Sequence, residues 1–450
     1  MLNYIWLALV LCAVAIAGWN NRFKEVTDGA FDGAKTAVTI ALGLIGIMAL
    51  WLGLMRLAER AGLVQRIARG LRPILTKLFP GVPPNHPAMG SMVMNMAANM
   101  LGLGNAATPL GLRAMRDLET LNPRPGVATN AMCTFLAINT SSVQLIPTTA
   151  IAILAASGSS RPTAIVGTAL LATLCAATVA IISVKLLEKL PWFRVSDQLK
   201  LNGGGSVIVS QETRDTARTD EKISDDSGIS PSVRKPVMSA LTIALAIFFI
   251  VVFVRMVFPN WFGSGGTAPA ANFFVRSVNA VSLLAIPFLL SFFPLYAASR
   301  GVKVYDESVE GAKEGFNVIL RIIPFLVTML VAISMFKAAG GVELLTKALN
   351  PILGPLHFPS ELLPLALMRP LSGSATLALL TKLVKDLGPD NIVSLMGATI
   401  YGSTETTFYV AAVYFGAVGV KQTRHAIPAG LLADLTGVIA SVVICRAVLQ

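Results

Sequence analysis

Long uncharged apolar runs, separated by short polar punctuation, make up most of this chain. Ala37–Met55 carries no charge over 19 residues and Pro162–Val184 none over 23. Each matches the ~20 residues that a helix needs to cross the hydrocarbon of a bilayer. The pattern predicts spanning helices near 2–19, 36–58, 127–157, 162–190, 236–258, 272–298, 316–336, 391–418 and 426–448. Segments 62–79 and 342–357 are shorter, amphipathic or proline-limited, and read as interfacial. Stretches 86–118 and 360–387 are apolar but broken by Gly and Pro at mid-length, so neither half is long enough to cross. They read as re-entrant helical hairpins, which a membrane tolerates where the exposed backbone is buried in protein or lines a cavity. The expected fold is an all-α polytopic membrane protein of about nine transmembrane helices plus two re-entrant hairpins.

One stretch departs from the pattern. Residues 196–232 hold Gly203-Gly204-Gly205 and many Ser, Thr and Asp with few large hydrophobes, the composition of a disordered linker. It divides the chain into halves at 1–195 and 233–450. Residues 2–19 resemble a signal peptide through Ala15-Ile16-Ala17, but no basic segment precedes the apolar run, so a retained first helix is expected.

The halves echo each other. Phe31-Asp32-Gly33-Ala34-Lys35 matches Val309-Glu310-Gly311-Ala312-Lys313 at an offset of 278. The same offset aligns Ala61-Gly62 with Ala339-Gly340 and Pro73-Ile74-Leu75 with Pro351-Ile352-Leu353. At an offset of 269, Gly104 meets Gly373 and Arg116-Asp117-Leu118 meets Lys385-Asp386-Leu387. Chance likeness between apolar helices is common, but it rarely aligns glycines, prolines and charges together. Lys and Arg favour the side that carries the linker, which the positive-inside rule makes cytoplasmic. Helix 316–336 then comes an odd number of spans after 36–58, so the second half is inverted. Inverted repeats with broken helices meeting near the midplane are the pattern of secondary transporters.

Composition supports the membrane reading: 54% of the 450 residues are hydrophobic and 13% charged, where a soluble domain carries about 25% charge. The net charge of +12 sits in loops beside apolar runs and marks membrane orientation rather than nucleic-acid binding. Cys12, Cys133, Cys175 and Cys445 lie in hydrophobic segments without ligand spacing, and His86, His357 and His425 are scattered at boundaries and in loops. No metal site or disulfide framework is expected. Gly102-x-Gly104 lacks the strand and acidic residue of a dinucleotide fold. No Walker A motif or Ser-His-Asp set is assignable, so the chain is not expected to be an enzyme, and no cofactor is implied.

Polar side chains inside hydrocarbon are costly and face a partner or a pathway. Four clusters qualify. Asn95, Asn99, Gly104, Asn105 and Thr108 surround the tip of the first hairpin. Asn139, Thr140, Ser141, Ser142 and Gln144 stand midway along 127–157, with Pro147 removing a backbone donor just beyond. Arg369, Ser372, Gly373 and Ser374 form the tip of the second hairpin, where the arginine suits either an anion or a structural pairing with Glu405. Ser403, Thr404, Glu405 and Thr406 stand midway along 391–418. The bland alternatives are helix packing through small residues with Asn as glue, and hydroxyls bonding back to their own helices. Glu405, with Asp434 in the last span, is the candidate for carrying a coupling H⁺ or Na⁺.

The run Asn99–Gly111 and the run Ile138–Thr149 resemble bacterial spore maturation protein A. Met368–Ser374, Gly402–Val410 and Gly430–Leu435 resemble spore maturation protein B. The chain looks like a fusion of the two, within the group that carries the nucleoside-recognition or gate domain, related to the core of concentrative nucleoside transporters. The resemblance implies an inner-membrane location, a nucleoside-like or other small-molecule substrate, and a homo-oligomer. The chemistry suggests a coupled transporter; a non-transporting scaffold or regulator of envelope or spore maturation is the alternative.

Overall fold

The computed structural model describes residues 2–102, 104–193, 236–258, 272–341, 343, 344, 347 and 358–449. The linker 196–232, the side chain of Asn105, His357 and most of the segment 342–357 lie outside the described residues. The described chain is helical throughout, apart from an isolated bridge between Val127 and Gln422. The first half folds as α1 (Leu2–Asn20), α2 (Phe23–Arg60), α3 (Leu63–Leu78), α4 (Pro87–Met100), α5 (Gly104–Glu119), α6 (Asn130–Ser141), α7 (Thr148–Ala156) and α8 (Ile165–Leu187). The second folds as α9 (Pro236–Val257), α10 (Phe273–Ser299), α11 (Val304–Ala338), α12 (Leu363–Met368), α13 (Gly373–Leu387), α14 (Ile392–Ser403), α15 (Thr407–Gly416) and α16 (Ala426–Leu449).

Five described helices are long and apolar enough to cross a membrane, within Phe23–Arg60, Ile165–Leu187, Ala240–Val257, Phe273–Ser299 and Ala426–Leu449. Stretches 127–157 and 391–418 are each two short helices with an irregular joint between them, α6/α7 and α14/α15. Two expected spans are longer as helices than as apolar runs. The segment 36–58 lies within the 38 residues of α2, and 316–336 within the 35 of α11. Hydropathy marks where a helix meets lipid, whereas a helix ends at caps and breakers. The turns added to α11 carry charge: Glu307 and Glu314 pair with Arg56 of α2 at 2.7 and 2.8 Å, binding the two helices.

These two long helices lie antiparallel and very close, through glycines spaced for small-residue packing. A Cβ placed on Gly33 would stand 2.7 Å from the Leu330 carbonyl oxygen, and one on Gly311 2.6 Å from that of Leu52. Gly53 and Gly315 approach Ser308 and Ala49 as closely. The contacts are reciprocal, because Gly33 corresponds to Gly311 and Leu52 to Leu330 at the offset of 278.

Local signals explain the shorter elements. His86 Nδ1 accepts from the Ala88 N–H at the start of α4, with Pro87 in the first helical position. Thr129, Ser372 and Asn391 cap α6, α13 and α14 in the same way. Gly102, at φ +76°, makes the turn that leads from α4 to α5. In the second hairpin the leading arm is short, the six residues of α12. His425 stands just before α16, as expected, but inside the protein: it is fully buried, edge-on to Phe193, and neither ring nitrogen has a partner among the described residues. The Lys421–His425 turn packs against loop 122–129 through Arg424, which donates to the carbonyls of Phe193 and Ala128.

Candidate functional site

The joints of the two broken helices meet. A Cβ on Gly402 would stand 2.6 Å from Pro147 Cβ, so glycine is what lets the end of α14 close onto the α6/α7 joint. The Glu405 N–H donates to the Thr140 carbonyl at 2.6 Å, and Gln144 Nε2 to Glu405 Oε1 at 3.3 Å. Ser142 is held at φ +29°, unusual for a residue with a side chain. Thr173 of α8 lies 2.9 and 3.0 Å from the carbonyls of Ser141 and Ser142, meeting acceptors that the end of α6 leaves without helical partners. Helix α16 lies across both joints through Gly430, against Thr407 and Thr140, and Gly437, against Thr404 and Ser403.

The first hairpin joins this junction through amides. Asn99 Nδ2 donates to Asn139 Oδ1 at 2.9 Å. Buried Asn95 donates to the Ala107 carbonyl at 2.7 Å, bracing α4 against α5, and lies 3.3 Å from the Tyr414 hydroxyl. Tyr414 also reaches Asn139 Oδ1 at 3.4 Å and rests on Gly111. Asn95 Oδ1 and Ser142 Oγ are buried with no partner among the described residues.

The second hairpin brings Arg369, a residue 3% exposed whose guanidinium lies 4.9 Å over the Tyr401 ring. Its Nη1 is 3.5 Å from Thr406 Oγ1, its Nε has no partner, and no carboxylate stands within 4.0 Å of it. Of the two roles the sequence leaves open for Arg369, direct pairing with Glu405 is absent among the described residues, where Glu405 accepts from Gln144 instead. In α16, Asp434 accepts from Thr407 Oγ1 at 2.5 Å and keeps its other oxygen unpartnered.

Not every polar residue of the four clusters faces the junction. Thr140, Ser141 and Ser403 hydroxyls bond back to their own helices, at Leu136, Ile138 and Ile400. Asn139 divides itself between Asn99 and its own Phe135 carbonyl. Ser372 spends its hydroxyl on the Ala375 N–H, and Ser374 is half-buried within 3.4 Å of it. Gly373 packs on Thr406, while Gly104 opens α5 and Thr108 follows in its second turn. Among the described residues, no three His, Cys, Asp or Glu gather as a metal-ligating group.

The family model for nucleoside recognition, the gate domain, matches residues 41–158 and 319–421. Spore maturation protein A of Bacillus subtilis (strain 168) is 48% identical over 182 residues, 40% of this chain and 93% of that protein. Spore maturation protein B of the same organism is 44% identical over 167 residues, 37% of this chain and 94% of that one. The chain belongs to the fused spore maturation protein A/B family. It is a multi-pass helical membrane protein carrying the family's nucleoside-recognition domain. The two family-model segments contain all four broken elements whole, both hairpins, α6/α7 and α14/α15, and Asp434 lies beyond them.

Three junction residues escaped the sequence reading. Tyr401 and Tyr414 sit in the apolar helices α14 and α15, where an aromatic ring signals nothing beyond packing. Thr173 is a lone hydroxyl in α8, indistinguishable in sequence from one that bonds to its own helix. The signal that could have found them is spatial: each meets a polar group at a helix break.

Proposed function

We propose that this chain is a secondary transporter of a small polar solute in the bacterial inner membrane, nucleoside-like or another small metabolite, coupled to a proton or cation. The carrying observation is the meeting of two broken helices joint to joint, Gly402 on Pro147 and Glu405 on Thr140, with buried unpartnered polar atoms around them. Irregular backbone at membrane depth is what a solute site at a repeat interface is made of. The reciprocal glycine contacts of α2 and α11 support an inverted pair of halves, a spore maturation protein A-like half at 1–195 and a B-like half at 233–450. On this reading α4/α5 and α12/α13 are re-entrant hairpins and 196–232 is a cytoplasmic linker. Asn95, Asn99, Ser142, Gln144, Arg369 and Thr406 surround the solute, while Glu405 and Asp434 carry the coupling charge.

One observation favours a second reading, a scaffold for envelope or spore maturation. Several hydroxyls are satisfied within their own helices, as a solute-free packing core would have them. Thermal unfolding of the purified protein against nucleosides, nucleobases, amino acids and small carboxylates, with and without Na⁺, separates the two. The transporter reading expects a saturable rise in Tm that Glu405→Gln abolishes. A flat response to every solute, with Glu405→Gln unfolding at or above the wild-type temperature, would leave the scaffold.

A further inference from the structure

We infer that the solute carries an oxyanion, a carboxylate or a phosphate, seated on Arg369 where α13 and α15 begin; this rests on the transport reading above. Arg369 is a buried cation with no carboxylate in contact among the described residues; Asp434 and Glu405 stand farther off. The residue is 3% exposed, and among the described residues Nε has no partner and no carboxylate lies within 4.0 Å. Burying a charge without an ion pair is costly, so such a group is expected to meet a charge that arrives from elsewhere. The Tyr401 ring, 4.9 Å away, holds the guanidinium plane without neutralising it.

Two helix starts converge on the same point. A Cβ on Gly373, the first residue of α13, would stand 3.1 Å from Thr406 Oγ1 and 4.0 Å from Arg369 Nη1. Thr406 immediately precedes α15, and Arg369 Nη1 reaches its hydroxyl at 3.5 Å. The Phe408 N–H donates to the Pro370 carbonyl, fixing the start of α15 beside the hairpin tip. Ser372 caps the Ala375 N–H, and the N–H groups of Gly373 and Ser374 meet no acceptor among the described residues. Helix starts of 15 and 10 residues therefore direct their positive ends at one buried arginine. A forked guanidinium beside free N–H groups suits the paired oxygens of a carboxylate or phosphate.

The acids nearby then acquire a role. Glu405 is held by Gln144, and Asp434 by Thr407. Ionised, both would repel an incoming oxyanion; protonated or cation-bound, they would not. Anion binding and proton or cation binding are thereby tied together, which is what a symporter requires.

The test is thermal unfolding of the full-length protein in detergent, at constant ionic strength, with succinate, inorganic phosphate, succinamide or uridine. A saturable rise in Tm with succinate or phosphate, absent with neutral succinamide, is the expected result, and the stronger of the two anions names the oxyanion. Arg369→Gln should weaken that binding at least about tenfold, with Arg369→Lys retaining part of it. If Arg369→Gln does not fold, Thr406→Val takes its place and should weaken it severalfold. The inference is overturned if neither oxyanion shifts Tm, if succinamide matches succinate, or if the variant that folds binds as the wild type does. A shift with uridine alone would sink the oxyanion and leave the transporter reading standing.

Discussion

Thr173 shows what a single hydroxyl does at a helix break. The end of α6 leaves carbonyls that no later N–H in the helix can reach, and Thr173 supplies the donor from α8. Thr173→Val keeps the shape and removes the donor, so it should lower stability by about 1–3 kcal/mol. Thr178→Val is the control, because that hydroxyl bonds to its own exposed helix at Leu174. Equal unfolding temperatures for the two variants would refute the role. At this scale the four polar clusters were legible, since Asn, Gln, Arg and Glu inside apolar runs are conspicuous by cost. What each side chain bonds to was not. Asn139 facing Asn99, and Arg369 facing a ring rather than Glu405, depend on helices far apart in sequence.

Among the elements, α2 and α11 are the best example of what pattern reading catches and misses. Their apolar cores were plain, yet the charged turns at Asp28, Asp32, Asp306 and Glu310 extend both helices well beyond the apolar runs. Glycines four apart, Gly29 with Gly33 and Gly311 with Gly315, bring the two backbones together. Gly33→Val would place a branched side chain where the Leu330 carbonyl stands 2.7 Å from Cβ alone. Overpacking of this kind costs about 1–3 kcal/mol, read as a lower unfolding temperature. Gly46→Ala, with nothing within 4 Å, should be neutral or stabilising by up to ~1 kcal/mol. Should both variants melt together with the wild type, the close approach of these helices is not what holds them.

Over the whole molecule, loops also tie the halves together, beyond the junction and the α2/α11 contact. In one place, Asp390 accepts from the Ser159 hydroxyl at 2.5 Å and from the N–H and hydroxyl of Ser160. In another, the Gln422 strip meets loop 122–129 through Ala128 and Arg424. The bond from Ser159, aided by those from Ser160, holds the Asp390 carboxyl down at about 2, against an ordinary 3.8. A carboxyl depressed in the folded state stabilises the fold above its ordinary value and loses that contribution as pH falls from 3.8 towards 2. Asp390→Ala should therefore flatten the fall of Tm with acidity in that window, and a wild-type slope in the variant would show the clamp to be idle. None of this was visible in sequence, because a Ser-Ser loop and a lone Asp gain meaning when two distant turns are brought together.

The reciprocal contacts of Gly33 with Leu330 and Gly311 with Leu52 have an evolutionary consequence. In a pair of identical chains related by a two-fold axis, every substitution is made twice, and a charge near the axis meets its own copy. Carrying the two halves on one chain lifts that constraint. Arg369 has neutral Met100 in its register in the first half, at the offset of 269. On the inverted-repeat reading proposed above, divergence between the halves lets a framework of paired elements hold an arginine on one side alone, and so gives the proposed site a front and a back.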